Sequence, residues 1–215
     1  MNMEPKIKSF VRVSAWLLLA CITSWQSVVL GQVQQSWVAR YSNGLPNGTN
    51  QALKIALDGT GNVIITGFSQ NTNDCLGYAT VKYAPTGQQL WAVRFDSNTF
   101  SAIPAAIGLD ANNNVALTGN AITVKYDANG NQLWTAPYAG TAVAVDTLGN
   151  VLVAGFSQDF GTVKLSAQQG SNIWLTTYVE PYGPTVSQSV LVDNQNNVYV
   201  SGLDSWDSGP HFGPY

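Results

Sequence analysis

Asp58–Gly67 reads DGTGNVIITG, Asp110–Gly119 reads DANNNVALTG, Asp146–Gly155 reads DTLGNVLVAG and Asp193–Gly202 reads DNQNNVYVSG; the four align without a gap. In each, Asp and Gly stand nine positions apart and an Asn precedes a short apolar run. The third residue after the Asp is Gly61, Asn113, Gly149 or Asn196, the residue types that best tolerate positive φ, and the Asp carboxylate is placed to cap the turn. Apolar strand segments flank every turn, LKIAL and VIIT around the first, AAIGL and VALT around the second. Each copy is therefore a tight β-hairpin that turns on its Asp.

A second block follows three times, as TVKYAPTGQQLW ending at Trp91, TVKYDANGNQLW at Trp134 and TVKLSAQQGSNIW at Trp174, with Gly87, Gly130 or Gly170 four positions before the Trp. This is a second hairpin, and two hairpins per copy make a four-stranded antiparallel unit. Val63-Ile64-Ile65 and Val151-Leu152-Val153 are apolar on both faces, the pattern of a sheet stacked against neighbours on either side. Small residues at Ala56, Gly108 and Ala144 suit a crowded innermost strand. Trp91, Trp134 and Trp174 are expected in the blade core. The expected fold is all-β: a β-propeller of about four four-stranded antiparallel blades in an incomplete ring. A β-helix also repeats, but does not supply two antiparallel hairpins per period. Residues 32–215 form the repeat domain, with repeats at about 42–95, 96–138, 139–178 and 179–215, the last stopping before its TVK strand. QSWVARY around Trp37 is a lone copy of the outer strand.

The pattern A-x-D-x-x-G-N-V-x-x-T-G followed by T-V-K-Y-x-x-x-G-x-x-x-W resembles the bacterial SBBP-type (seven-bladed) β-propeller repeat family, from about Trp37 to Gly202. The G-x-x-x-W element is more weakly similar to pyrroloquinoline-quinone-like propeller repeats. The resemblance implies an exported or cell-surface protein and a binding or structural module, with no shared catalytic motif. A seven-bladed ring takes roughly 300 residues at ~40 to 45 per blade, which the 215-residue chain does not reach.

Residues 1–31 read as a signal peptide: basic at Lys6, Lys8 and Arg12, apolar from Val13 to Ile22, and ending Val29-Leu30-Gly31. The expected mature start is Gln32. Leu18-Leu19-Ala20-Cys21 approximates a lipobox, the rival reading in which Cys21 is lipidated. The apolar stretch is too short to span a bilayer, so no transmembrane segment is expected after leader removal. From Gln32 on, six Lys and Arg face eleven Asp and Glu, a net charge of −5, which disfavours nucleic acid as a partner. Cys75 is then the only cysteine, so no intrachain disulfide forms.

Catalytic chemistry has little material. His211, the only histidine, sits in a Gly/Pro-rich tail, and Cys75 lies in the polar insertion SQNTNDCLGY without a base. No cofactor and no metal is expected: the Asp turns offer calcium one carboxylate each, and turn capping accounts for their spacing. Lys82, Lys125 and Lys164 recur as a ladder or salt-bridge position. The invariant turns share one rim. Length variation falls on the other, where Gly to Lys spans 15, 6 and 9 positions. Variable loops on a rigid scaffold are where binding is usually built. That rim carries Phe100, Phe160, Tyr182 and Trp206 with Asp74, Asp159 and Asp204, a set suited to stacking on a sugar or peptide. The expected function is an exported, non-catalytic interaction or structural module with an unknown protein or carbohydrate ligand and self-association through open blade edges. The alternative is a fragment of a secreted carbohydrate-active or quinone-dependent propeller enzyme whose catalytic part lies beyond the chain end.

Overall fold

The computed structural model describes residues 35–97, 100–156, 160–178 and 185–204, with backbone only for Thr185 and Asp204. The leader, Cys21 and His211 lie outside the described residues. From Trp37 on, the chain lays down antiparallel sheets in sequence order. Blade 1 is β1 (Asn50–Leu57), β2 (Val63–Gln70), β3 (Leu76–Tyr83) and β4 (Gln89–Phe95). Blade 2 is β5 (Pro104–Leu109), β6 (Val115–Gly119), β7 (Thr123–Tyr126) and β8 (Gln132–Ala136). Blade 3 is β9 (Ala142–Val145), β10 (Val151–Ala154), β11 (Thr162–Leu165) and β12 (Asn172–Thr176). Blade 4 has β13 (Thr185–Val192) and β14 (Val198–Asp204) alone. The architecture is a β-propeller of three full blades and a fourth of two strands among the described residues.

Hydrophobic burial runs between blades, not within them. One face of blade 2, with Val115, Leu117 and Val124, packs on Ile64, Tyr78 and Trp91 of blade 1. Blade 3 presents Val151, Val153 and Val163 to Ala116 and Trp134 of blade 2. Val190, Val192, Val198 and Val200 of blade 4 meet Ala142, Leu152 and Trp174 of blade 3. The apolar run Val151–Val153 is explained by this sandwiching, because blade 3 has a blade on each face, whereas in blade 1 only Ile64 is fully buried and Val63 and Ile65 are half-buried. Of the three repeat tryptophans Trp134 is buried, at 6% exposure, whereas Trp91 and Trp174 are half-buried. For Trp174 the reason is positional, because it faces a blade of only two described strands; Trp91 is half-buried although it faces the complete blade 2.

Recurring glycines mark close approaches. A Cβ on Gly67 would lie 1.8 Å from the Gln51 carbonyl oxygen, and one on Gly119 2.2 Å from that of Ile103. Both sit opposite a β-bulge in the first strand, between Ala52 and Lys54 or between Pro104 and Ala106. The bulge presses the two backbones together, so only glycine fits.

Candidate functional site

Two rims compete as the site. On the constant rim the turn residues Gly61, Asn113, Gly149 and Asn196 adopt φ of 82°, 62°, 82° and 65°. Each preceding Asp accepts from the turn backbone through one carboxylate oxygen; for Asp58, Oδ1 accepts from Thr60 N and Asn62 N, both at 2.9 Å. The other oxygen accepts from the Asn side chain four residues on, in Asp58, Asp110, Asp146 and Asp193 alike.

In blades 1 to 3 that second oxygen also holds the repeat lysine. Lys82–Asp58 is 2.8 Å, Lys125–Asp110 2.9 Å and Lys164–Asp146 2.7 Å, with all three carboxylates buried. Burial alone would raise the pKa of these acids. The lysine ammonium and the Asn bonds more than reverse it, so all three titrate below the usual carboxylate value, Asp58 furthest. The cation at each turn is thus a lysine of the same blade. Lys82 and Lys125 also donate to carbonyls of the next blade, Ala128 O and Gly149 O, which ties the pair into the blade joint.

Tryptophan makes the second joint. The indole Nε1 of Trp37, Trp91 and Trp134 donates at 3.0 Å to Pro85 O, Ala128 O and Ala167 O, each in the outer turn of the following blade. The glycine of that turn lies under the ring: a Cβ on Gly130 would stand 3.0 Å from Trp91, and one on Gly170 2.6 Å from Trp134. Gly130 also has φ of 88°, so two independent demands select glycine there.

A third joint alternates. Asn113 Oδ1 accepts from Gly59 N of blade 1, and Asn196 Oδ1 accepts from Thr147 N of blade 3. Between blades 2 and 3 the equivalent position is Gly149, and a cleft of about 260 Å³ lies there, lined by Asp110, Ala111, Thr147 and Gly149. Gly149→Asn is expected to raise stability by about 0.5–1 kcal/mol, because Asn tolerates this φ and its side chain can reach Ala111 N. A Cβ there meets nothing closer than 3.5 Å. Gly61→Asn, with no preceding inner turn among the described residues, is the control. Urea titrations in which Gly149→Asn gains nothing over Gly61→Asn contradict the bridge.

On the variable rim, the insertion after β2 closes on itself: Asn73 N and Cys75 N donate to Asn71 Oδ1 at 2.9 and 3.0 Å. Asp74 takes φ of 59° at its apex and accepts from Gln70 Nε2 at 2.8 Å. Leu76 N donates to Ser101 Oγ and Ala102 N to Leu76 O, which brings the segment carrying exposed Phe100 alongside this loop. Next to it a cleft of about 320 Å³ is lined by Tyr41, Asn43, Gln70, Asn71, Thr72 and Arg94. Arg94 is held by Asp96 at 2.7 Å and donates to Ser69 O at 2.9 Å. Phe160 is placed differently. Its ring meets Tyr178 edge-on at 6.2 Å and lies over Gly202, so it fills the seam between blades 3 and 4. Tyr182, Trp206, Asp159 and the Asp204 side chain lie outside the described residues. Sequence reasoning missed Tyr41, Asn43 and Arg94, which come from three separate places: Tyr41 ends the strand copy before the first repeat, Asn43 follows it, and Arg94 lies on β4. Among the described residues no three His, Cys, Asp or Glu come together in a group able to hold a metal ion. Nor, among these residues, is any helix long and apolar enough to cross a membrane.

No protein-family model and no curated protein sequence matches the chain. Among solved structures it is similar to BamB from Moraxella catarrhalis, with TM-score 0.48 and 13% identity over 69% of this chain and 42% of that one. A protein of unknown function from Bacteroides caccae gives TM-score 0.47 and 13% identity over 70% of this chain and 52% of that one. A gluconolactonase from Xanthomonas campestris gives TM-score 0.48 and 11% identity over 77% and 57%. The chain spans 42 to 57% of the length of these three structures. The architecture itself rests on the succession of antiparallel sheets and the apolar layers between them, which is that of a β-propeller.

Proposed function

We propose that the chain is an exported, non-catalytic β-propeller module of the SBBP-repeat kind that binds a sugar or peptide through its variable rim. One observation carries this reading. The recurring acids and lysines of blades 1 to 3, with the indoles of Trp37, Trp91 and Trp134, are engaged in joints within and between blades. The exposed polar and aromatic groups at the variable rim, with Asp74, Phe100 and the cleft beside Tyr41, are outside those joints. A rigid scaffold carrying a self-closed polar loop is a preorganised binding surface, which lowers the cost of ordering on contact.

The test is a screen of the chain from Gln32 onward against immobilised glycans and peptides. Retention is expected, and the pair Asp74→Gly, which keeps the positive φ at the apex, and Phe100→Ala should weaken it at least tenfold while the folded state is retained. Retention indifferent to that pair, or chemical turnover of the retained ligand, contradicts the proposal. The export half is checked separately: the full chain expressed in a bacterial host should leave the cytoplasm with Gln32 as its first residue.

A further inference from the structure

The cleft between the inner turns of blades 2 and 3 marks the place where a repeated contact is not supplied by the chain itself. In the joints on either side an asparagine carboxamide makes it: Asn113 Oδ1 accepts from Gly59 N at 2.9 Å, and Asn196 Oδ1 accepts from Thr147 N at 3.0 Å. The matching donor of blade 2 is Ala111 N, the first amide after Asp110, and its acceptor would come from residue 149. That residue is glycine, and Ala111 N has no acceptor among the described residues. A Cβ on Gly149 would meet nothing closer than 3.5 Å, so there is room for a carboxamide beside it. The walls set the charge of an occupant. Lys125 Nζ, 3.7 Å from that Cβ position, bonds Asp110 Oδ2 at 2.9 Å and Gly149 O at 2.8 Å. Asp110 matches the charge of the ammonium and itself stands 3.5 Å from the Cβ position, where it opposes an anion. A neutral oxygen acceptor is selected. Asn112 and Gln168 line the cleft with side-chain amides that have no hydrogen bond among the described residues, and Leu148, 72% exposed, lies at its edge.

We propose that this cleft binds a neutral sugar carrying an acetamido group, an N-acetylated hexosamine. The acetamido oxygen accepts from Ala111 N, as the asparagine oxygens do from Gly59 N and Thr147 N in the neighbouring joints. An acetamido group repeats the carbon, oxygen and nitrogen of an asparagine side chain, so the chain's own joints are the template for the ligand. The ring hydroxyls meet the amides of Asn112 and Gln168, and an apolar face of the ring rests on Leu148. A cleft of about 260 Å³ is smaller than the roughly 300 Å³ at which sites for drug-sized ligands begin, which selects a single sugar unit over a peptide segment. Its polar lining agrees, because one sugar ring offers hydroxyls to both side-chain amides. This site is independent of the variable rim, so either proposal stands if the other fails.

The experiment titrates N-acetylglucosamine into the full chain and follows the backbone amide shifts by NMR. A saturable shift at Ala111 is expected, with glucose, which lacks the acetamido group, at least about tenfold weaker, the scale of one lost hydrogen bond. Gly149→Asn brings a carboxamide from the chain itself and should weaken the sugar by at least about tenfold while the fold is retained. Gly61→Asn should bind as the unaltered chain does, and Leu148→Ala, at an exposed position, should weaken the sugar without unfolding the chain. A silent Ala111 amide overturns the proposal, as does equal binding of glucose. Folded Gly149→Asn or Leu148→Ala chains that bind as before overturn it too. Tighter binding of N-acetyl-asparagine amide than of the sugar overturns it in favour of a peptide.

Discussion

Trp134→Ala is expected to destabilise the chain by about 3–5 kcal/mol, the range for deleting a buried aromatic side chain. Three losses coincide in this one substitution. The indole fills the layer between blades 2 and 3 beside Val151, Val153 and Val163. It covers Gly170, and its Nε1 bond to Ala167 O disappears with it. Trp174→Ala should cost distinctly less, because Trp174 is half-buried and its indole has no acceptor among the described residues. Equilibrium unfolding in urea measures both. A Trp134→Ala loss under about 1 kcal/mol, the scale of a neutral surface change, contradicts the interblade placement of the ring.

Lys125→Met carries a comparable penalty for a different reason. It leaves the Asp110 carboxylate buried without its ammonium, and breaking a buried pair from one side costs about 3–5 kcal/mol. Adding Asp110→Asn should recover much of that loss, since Asn is uncharged and can keep the turn bonds. The pH dependence has a defined sign. Asp58, Asp110 and Asp146 titrate lower in the folded chain than the roughly 3.9 of an unfolded Asp. Their stabilisation is therefore complete above about pH 5 and is lost as pH falls through 4 and below. In Lys125→Met the Asp110 carboxyl loses the ammonium that lowers its pKa, so the deficit relative to the unaltered chain should shrink at pH 3. A deficit that is the same at pH 7 and pH 3 contradicts the ion-pair account.

What the sequence disclosed was local chemistry. Asp followed three residues later by Gly or Asn specifies a turn with positive φ from residue preferences alone, and the four turns follow that rule. Two hairpins per repeat then give the blade, because antiparallel neighbours need only short connections. The joints between blades were harder to read, since they link residues at separations that the variable loops change. Lys82 and Asp58 are 24 positions apart, Lys125 and Asp110 only 15. The tryptophans show this too: each indole docks one blade onward, Trp37 on Pro85, Trp91 on Ala128 and Trp134 on Ala167, a link that the spacing within a repeat does not reveal. Likewise, the alternation of Gly61, Asn113, Gly149 and Asn196 reads as equivalent choices for a turn, yet only the asparagines have a side chain to bridge with. Phe160 shows the limit of loop reasoning at the rim, because an aromatic residue in a variable loop serves interblade packing equally well.

The central claim is that blades lock in series through buried joints. Hydrogen exchange of the full chain, resolved to single amides, tests it most directly. The account predicts the slowest exchange in β6, β7, β10 and β11, which lie inside their sheets and between blades. The amides of β1 that point away from β2, at the edge of a complete four-stranded sheet, should exchange at least about a hundredfold faster, as expected of edge groups. Protection throughout β1 equal to that of β10 would contradict the account.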